Sequence, residues 1–260
     1  MTVPAAVRTD WHSHSSRTDG ADDAERMADA AQRAGLGVWG LSDHVRADST
    51  WLDDYVTVTR ALRRDGLTIH CGVEAKLLDT SGRLDLPPGL PALDYVLVAD
   101  HQFPSATGPQ SPRTVAADLA ARRRRPADVV DDLIAATTAG LARCPCPPIV
   151  AHLFSLLPKL GLSERDDVRA DHLHALAAAC LDTGAAVEIN EKWRCPSPEV
   201  VIALATAGVP LVAGSDAHCS DEVGRHDYLT EVLAATGVPL AEGPPDLTSA
   251  GTETRGHGRP

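Results

Sequence analysis

Short apolar runs of β type alternate with alanine-rich stretches of helical period along most of this 260-residue chain. That alternation limits the fold more than any other feature. Segments 38–42, 67–73, 94–99, 149–151, 186–189 and 209–213 read as strands, preceded by one in the apolar stretch 3–7. Segments 21–34, 127–142, 169–183 and 198–207 read as helices. Strand and helix in repetition give parallel strands joined by helical crossovers. About seven such units predict an α/β barrel-like sheet, with residues 1–241 as one domain. Apolar residues make up 43% of the chain but aromatics only 3%, so the core must be mostly Ala, Leu and Val. Residues 242–260 are rich in Gly, Pro, Thr and charge, and are expected to form a disordered tail.

Barrels of this class gather function at the C-terminal ends of their strands. Asp10-Trp11-His12-Ser13-His14 follows the first strand, Asp43-His44 the second, Glu74 the third and Asp100-His101 the fourth. His152 ends the fifth, Glu188-Ile189-Asn190 the sixth, and Gly214-Ser215-Asp216-Ala217-His218 the last. Residues two apart on a strand point the same way, so His12 and His14 aim at one point, as metal ligands would. A lone His-x-His pair is more often polar surface. Recurrence of His or carboxylate at strand after strand is what favours a metal centre. Of the other histidines, His70 falls mid-strand and reads as structural. His172 and His174 read as surface positions of a helix. His226 is more readily a bystander than a pocket residue, and His257 lies in the expected tail.

The formal charge of −12 argues against an extended nucleic-acid surface, though not against a local cationic pocket. A nucleic acid is then expected only as a short substrate. There is no apolar run long enough to span a bilayer and no hydrophobic signal segment at the start, so a cytoplasmic location is expected. The six cysteines are scattered and expected to be reduced, and the prolines of "CPCPP" make Cys144 and Cys146 a poor chelating pair. Arg122 to Arg125 reads as a solvated loop at a helix start. Neither a Gly-x-Ser-x-Gly elbow nor a Walker-type lysine loop is present, which disfavours serine hydrolases and P-loop enzymes.

The ordered series "DWHSH", "TDG", "SDH", "GVEA", "DH", "AH", "EIN" and "GSDAH" resembles the polymerase and histidinol phosphatase (PHP) family over about residues 10–225. The stretch "GVEAKLLDTSGRLDLPP…LDYVLVADH" is most similar to stand-alone phosphatase-like members and to polymerase-attached PHP domains. The resemblance implies a distorted (β/α)7 barrel with two or three divalent ions at the strand ends. Carried over position by position, it implies one ion held by His12, His14, Glu74 and Asp216. A second would be held by Glu74, His101 and His152, and a third by Asp19, His44 and His218. Asp19 is the least secure position, because some members have histidine there. Glu74, Asp216 and His218 would be the ligands most directly engaged in catalysis.

Mixed imidazole and carboxylate ligands suit zinc, manganese or iron(II). Closely spaced ions lower the pKa of a shared water and clamp phosphoryl oxygens. Three divalent ions would bring roughly six positive charges against the carboxylates of Asp19, Glu74 and Asp216, which suits a phosphomonoester dianion better than a neutral amide. Asp10 and Asp43 are candidates for steering ligating histidines. In "EINEKWRCP", Lys192 and Arg194 are candidates for binding substrate phosphate, with Trp193 as a wall; Arg225 is a weaker one. A phosphomonoesterase acting on a small phosphorylated metabolite is therefore expected. The alternatives are a phosphodiesterase or exonuclease on short substrates, an amidohydrolase-like enzyme, and a non-catalytic metal-binding domain.

Overall fold

The computed structural model describes residues 7–249. The chain runs β1 (Thr9–Asp10), α1 (Ala24–Arg33), β2 (Val38–Leu41), β3 (His44–Val45), α2 (Leu52–Ala61), β4 (Thr68–Lys76) and β5 (Tyr95–Ala99). A small hairpin follows, β6 (Phe103–Ser105) and β7 (Gly108–Gln110), then α3 (Pro112–Ala120), α4 (Pro126–Arg143) and β8 (Pro148–Val150). Next come α5 (Leu157–Leu160), α6 (Glu164–Asp167), α7 (Ala170–Thr183), β9 (Ala186–Asn190) and α8 (Pro198–Thr206). The described chain ends with β10 (Leu211–Gly214), α9 (Asp227–Thr236) and α10 (Pro245–Ser249). No helix among the described residues is long and apolar enough to cross a membrane.

The main sheet is parallel, in the order β1-β2-β4-β5-β8-β9-β10, with β3 also paired to β4. Its two ends approach each other: Trp11 N donates to Ala213 O at 2.9 Å, and Ser13 bridges Ala217. The sheet is thus a nearly closed, distorted (β/α)7 barrel. The first described strand is Thr9–Asp10; of the stretch 3–7, residues 3–6 lie outside the described residues.

Side chains alternate between two apolar layers, as the period of a strand requires. On β5, Val96 and Val98 face the helices, whereas Tyr95, Leu97 and Ala99 fill the barrel with Trp11, Ile149, Ala151, Ala186 and Val212. On β4, Cys71, Val73 and Ala75 belong to the outer layer, so Gly72 and Glu74 face inward. A Cβ at Gly72 would overlap the Tyr95 ring, so glycine there makes room for the barrel's largest internal phenol. The helices cover the outer layer through small apolar faces. Asp23 caps α1 by accepting from Arg26 N, and the helix buries Met27, Ala28, Ala30 and Ala31.

Two expectations are corrected here. Residues 242–249 do not form a tail: Trp11 Nε1 donates to Glu242 O at 3.0 Å, Gly243 packs on the Trp11 ring, and α10 follows. Ala241 N donates to Leu211 O at 2.8 Å, so this segment closes the barrel at the N-terminal rim of its strands. Residues 250–260 lie outside the described residues, and His257 with them. His172 is buried rather than at the surface. Its Nδ1 accepts from Arg169 N at 3.1 Å and its Nε2 lies 2.7 Å from Asp131, so it caps α7. His174 is exposed. His70 stacks on Trp11 at 4.8 Å, a structural place.

Asp94 fastens the start of β5 to its neighbours. It accepts from Cys71 N at 2.7 Å and from Arg60 Nη1 and Nη2 at 2.8 and 2.6 Å, with His70 Nδ1 3.5 Å away. Burial alone would raise this carboxyl, but the bonds from His70, Arg60 and the Cys71 amide outweigh it and hold it well below the usual range. Asp94→Asn is expected to destabilise the protein by about 1–3 kcal/mol at neutral pH. A depressed carboxylate contributes its stability above its unfolded pKa of about 3.9 and loses it as pH falls further. Urea denaturation should therefore show a gap between wild type and variant that is full at pH 7 and narrows below about pH 4.

Candidate metal centre

Six imidazoles and three carboxylates that are far apart in the chain meet at the C-terminal mouth of the barrel: His12, His14, His44, His101, His152 and His218 with Asp19, Glu74 and Asp216. Glu74 is the hub. Its inward place on β4 follows from the alternation just described. Oε1 lies 2.8 Å from His101 Nε2 and 3.0 Å from His152 Nε2. Oε2 lies 2.8 Å from His44 Nδ1 and 3.5 Å from both His12 Nε2 and His14 Nε2. Asp216 Oδ1 completes the floor, 3.5 Å from His14 Nε2 and 3.8 Å from His12 Nε2. Asp19 Oδ2 bridges the rim, 3.2 Å from His44 Nε2 and 3.4 Å from His218 Nε2.

Among the described residues, three sets of ligating atoms each lie within 4.8 Å of one another and could hold an ion: His14, Asp19, His44 and His218; His12, His14 and Asp216; and His44, Glu74 and His101. These overlap the sets implied by the resemblance, with His14 and His44 each taking part in two groups. The donor chemistry fits a divalent ion. His12 Nε2 and His14 Nε2 face each other at 3.0 Å, and His14 Nδ1 is buried without a hydrogen-bond partner among the described residues. Asp216 and His152 sit at left-handed backbone angles, φ 55° and 29°, where the strands exit into the site. Such strain concentrates where side chains must be held to a task.

Burial divides the cluster into floor and rim. The side chains of His12 and His14 are fully buried, whereas those of His44, His101 and His218 are 28%, 31% and 24% exposed. A cavity of about 660 Å³ opens over this rim, reaching Asp19, His44, Glu74 and His101.

No protein-family profile matches the chain. Among curated proteins, a "Probable histidinol-phosphatase" of Deinococcus radiodurans is 31% identical over 222 residues, covering 76% of this chain and 80% of the relative. The chain belongs to the polymerase and histidinol phosphatase family. A "Probable phosphatase" of Vibrio vulnificus is 26% identical over 249 residues, covering 89% of this chain and 86% of its own. In fold, this PHP chain is similar to the histidinol phosphate phosphatase of Lactococcus lactis, solved with zinc, L-histidinol and phosphate. That match has a TM-score of 0.63 at 14% identity and covers 90% of this chain and 95% of the other.

The surroundings of the PHP cluster set its charge. Burial lowers His152, but Asp100 and Glu74 more than reverse this and push it up to about 10. Burial lowers His14 to about 4, only partly opposed by Asp216 and Glu74. Glu74 is held well below the usual carboxylate range; burial opposes this, but the facing His101 and His12 prevail.

Other expected site residues fall in different places. Asp10 holds backbone, not a histidine ring: Oδ1 accepts from Ser215 N at 2.8 Å and Oδ2 from Gly224 N at 3.0 Å, joining the exits of β1 and β10. Asp43 accepts from Ser15 Oγ and Thr18 Oγ1, each at 2.6 Å, and so fixes the loop that carries Asp19. Burial raises its pKa despite these bonds. Lys192 does reach the cluster, with Nζ 2.9 Å from His218 Nδ1 and 3.7 Å from Asp216 Oδ1. Arg194 does not: it pairs with Glu231 at 2.7 Å and stacks on Tyr228 at 4.7 Å, both on α9. Arg225 is exposed and makes no hydrogen bond or ion pair with the cluster among the described residues. His226 precedes α9, apart from the cluster.

Glu188 and Asp100 stand among the strand-end residues read from the sequence but were given no role there, and Lys159 was not singled out. Glu188 is fully buried and lies 2.9 Å from His12 Nδ1. Asp100 stands 3.5 Å from His152 Nδ1. Lys159 on α5 places Nζ 3.7 Å over the Trp193 ring, itself 6.4 Å from the His152 ring. An acidic residue at an inward position of a wholly buried strand was the available signal for Glu188. Lys159 had none, because a short helix after His152 cannot be aimed from its sequence.

Proposed function

We propose that this PHP protein is a metal-dependent phosphomonoesterase acting on a small phosphorylated metabolite, with residues 1–249 as its catalytic domain. The observation that carries this is Glu74, whose two oxygens are surrounded by five imidazoles from four other strand ends. His12, His14, Glu74 and Asp216 would hold one ion, Glu74, His101 and His152 a second, and Asp19, His44 and His218 a third. Zinc, manganese or iron(II) matches the donors, and zinc is present in the Lactococcus lactis structure. Bound ions would supply a nucleophilic water near neutral pH and polarise the phosphoryl oxygens.

The chain's own groups do the rest. His12, His14 and His152 are too buried to meet substrate and serve as the floor. His44, His101 and His218 line the open rim, where the ester would sit. Lys192, at the edge of His218 and Asp216, is placed to meet a phosphoryl oxygen, while Lys159 and Trp193 wall the same side. The histidinol-phosphatase relative favours a monoester substrate. A two-ion amidohydrolase has no use for Asp19, His44 and His218, whose gathering with His14 favours phosphoryl chemistry. The cysteines are free, in keeping with a cytoplasmic location.

Chelation tests the proposal. The protein loaded with Mn(II) or Zn(II) should hydrolyse p-nitrophenyl phosphate, and EDTA should lower that rate by about 100-fold or more until metal is restored. Turnover of amides or lactones, with phosphate esters untouched, would overturn it.

A further inference from the structure

The cavity over the metal cluster has a second wall, formed by the loop between β3 and α2 and by the inner end of β4. Its charges are not equivalent. Lys76 is already committed, with Nζ 3.7 Å from Asp85 and 3.4 Å from Gln102 Oε1. Asp85 in turn accepts from Ala47 N at 2.8 Å, which pins the loop. Arg46 and Asp48 line the cavity differently. The Arg46 backbone is fixed by Ser49, whose Oγ accepts from Arg46 N and whose N donates to Arg46 O, each at 3.0 Å. Yet neither the guanidinium nor the Asp48 carboxylate has a hydrogen-bond or ion-pair partner among the described residues. Both residues are exposed, and other arginines such as Arg33, Arg113 and Arg225 also lack a side-chain partner among the described residues; what distinguishes Arg46 is its place on the cavity wall beside the cluster. An arginine left unpaired on a cavity wall is therefore available to an anion that comes from outside.

We propose that Arg46 and Asp48 read the leaving group, and that the substrate is the phosphate ester of a zwitterionic hydroxy-amino acid. Its carboxylate pairs with Arg46 and its ammonium with Asp48, while the phosphoryl group lies at the cluster. This rests on the phosphomonoesterase reading above. A second phosphate would bring two negative charges against one free cation with Asp48 alongside, whereas a zwitterion leaves the wall balanced. The volume, about 660 Å³, accommodates such a small substrate. In hydrolysis a bond forms between phosphorus and the water oxygen, the ester P–O bond breaks, and a proton from water goes to the leaving alkoxide. The products are the free hydroxy-amino acid and inorganic phosphate.

The test is kcat/KM of the manganese-loaded full chain on O-phosphoserine, phosphoethanolamine, phosphoglycolate and p-nitrophenyl phosphate. Charge-assisted hydrogen bonds of the usual strength predict that phosphoserine exceeds phosphoethanolamine and phosphoglycolate by about 10- to 100-fold each. Arg46→Gln should collapse the ratio of phosphoserine to phosphoethanolamine towards unity. Asp48→Asn should do the same for the ratio of phosphoserine to phosphoglycolate. Using ratios within one variant removes differences in folding or metal content. Wild-type ratios near unity, ratios unmoved by either substitution, or a preference for phosphoglycolate would overturn the assignment while leaving the phosphomonoesterase intact. Failure to hydrolyse any of the four esters would instead overturn the phosphomonoesterase reading, and this assignment with it.

Discussion

Glu74→Gln should lower kcat by about 1000-fold or more and reduce the metal content of the purified protein, while the chain still folds. The expectation follows from where the two carboxylate oxygens point. Oε1 faces His101 and His152, and Oε2 faces His44, His12 and His14. Ions on the two sides of the carboxylate would share its negative charge, so a single substitution weakens both positions. A glutamine keeps the volume of the side chain on β4 but supplies one oxygen, and its amide nitrogen is a donor where a cation needs an acceptor. Losing the charge should leave the barrel intact, since the layers on either side of β4 are built from Cys71, Val73 and Ala75 outside and Tyr95 and Leu97 inside. Metal analysis by mass spectrometry, steady-state kinetics and far-UV circular dichroism check the three parts separately. A variant that keeps both metal content and turnover would remove Glu74 from the centre of the site.

The barrel and its cluster were legible because both obey short-range rules. The alternation of strand and helix gives the parallel sheet, and a barrel brings its strand ends to one mouth however far apart they are in sequence. His14 and His218 meet for that reason, their ring centroids 4.4 Å apart. What was not legible depended on longer-range packing. The hairpin of β6 and β7 contains Pro104 and Pro109 and shows no alternation of apolar and polar residues, so nothing local announces it. The segment 242–249 has the composition of a tail, but the Trp11 ring at the base of the barrel gives Gly243 a surface to pack on. Arg194 follows Lys192 by two residues and looked equivalent. Its left-handed φ of 51° turns the chain, and Glu231 and Tyr228 hold it against α9. Asp10 and Asp43 are next to ligands in sequence, yet their nearest donors are backbone amides and hydroxyls. Of the carboxylates that do meet a ligating ring, Asp100 faces His152, and another lies 176 residues from its ring.

That carboxylate, Glu188, carries the second large prediction. Oε1 lies 2.9 Å from His12 Nδ1 and accepts from Asn190 Nδ2 at 3.0 Å, and Oε2 accepts from His152 N at 2.8 Å. Asn190 Nδ2 and His152 N can only donate, the amide of Asn190 being oriented by Oδ1, which accepts from Trp193 N at 2.8 Å, and a carboxylate can only accept. His12 then carries a proton on Nδ1, so Nε2, which faces His14, Glu74 and Asp216, is the nitrogen a cation would use. Glu188→Gln is nearly the same shape but puts an NH2 against at least one of these donors. Facing His152 N, it strands a buried amide at a cost of about 1–3 kcal/mol. Facing His12, it favours the other tautomer and points Nε2–H into the position a cation would take. Zinc affinity, measured by competition with a chelating dye, should fall by about 10- to 100-fold, with kcat/KM falling in step. Gly214→Ala provides an independent route to the same outcome, because a Cβ there would overlap Glu188 Oε1 and push the carboxylate aside without changing its charge. A purely structural role for Glu188 predicts a lowered melting temperature in both variants with zinc affinity unchanged, and that result would separate Glu188 from the metal centre.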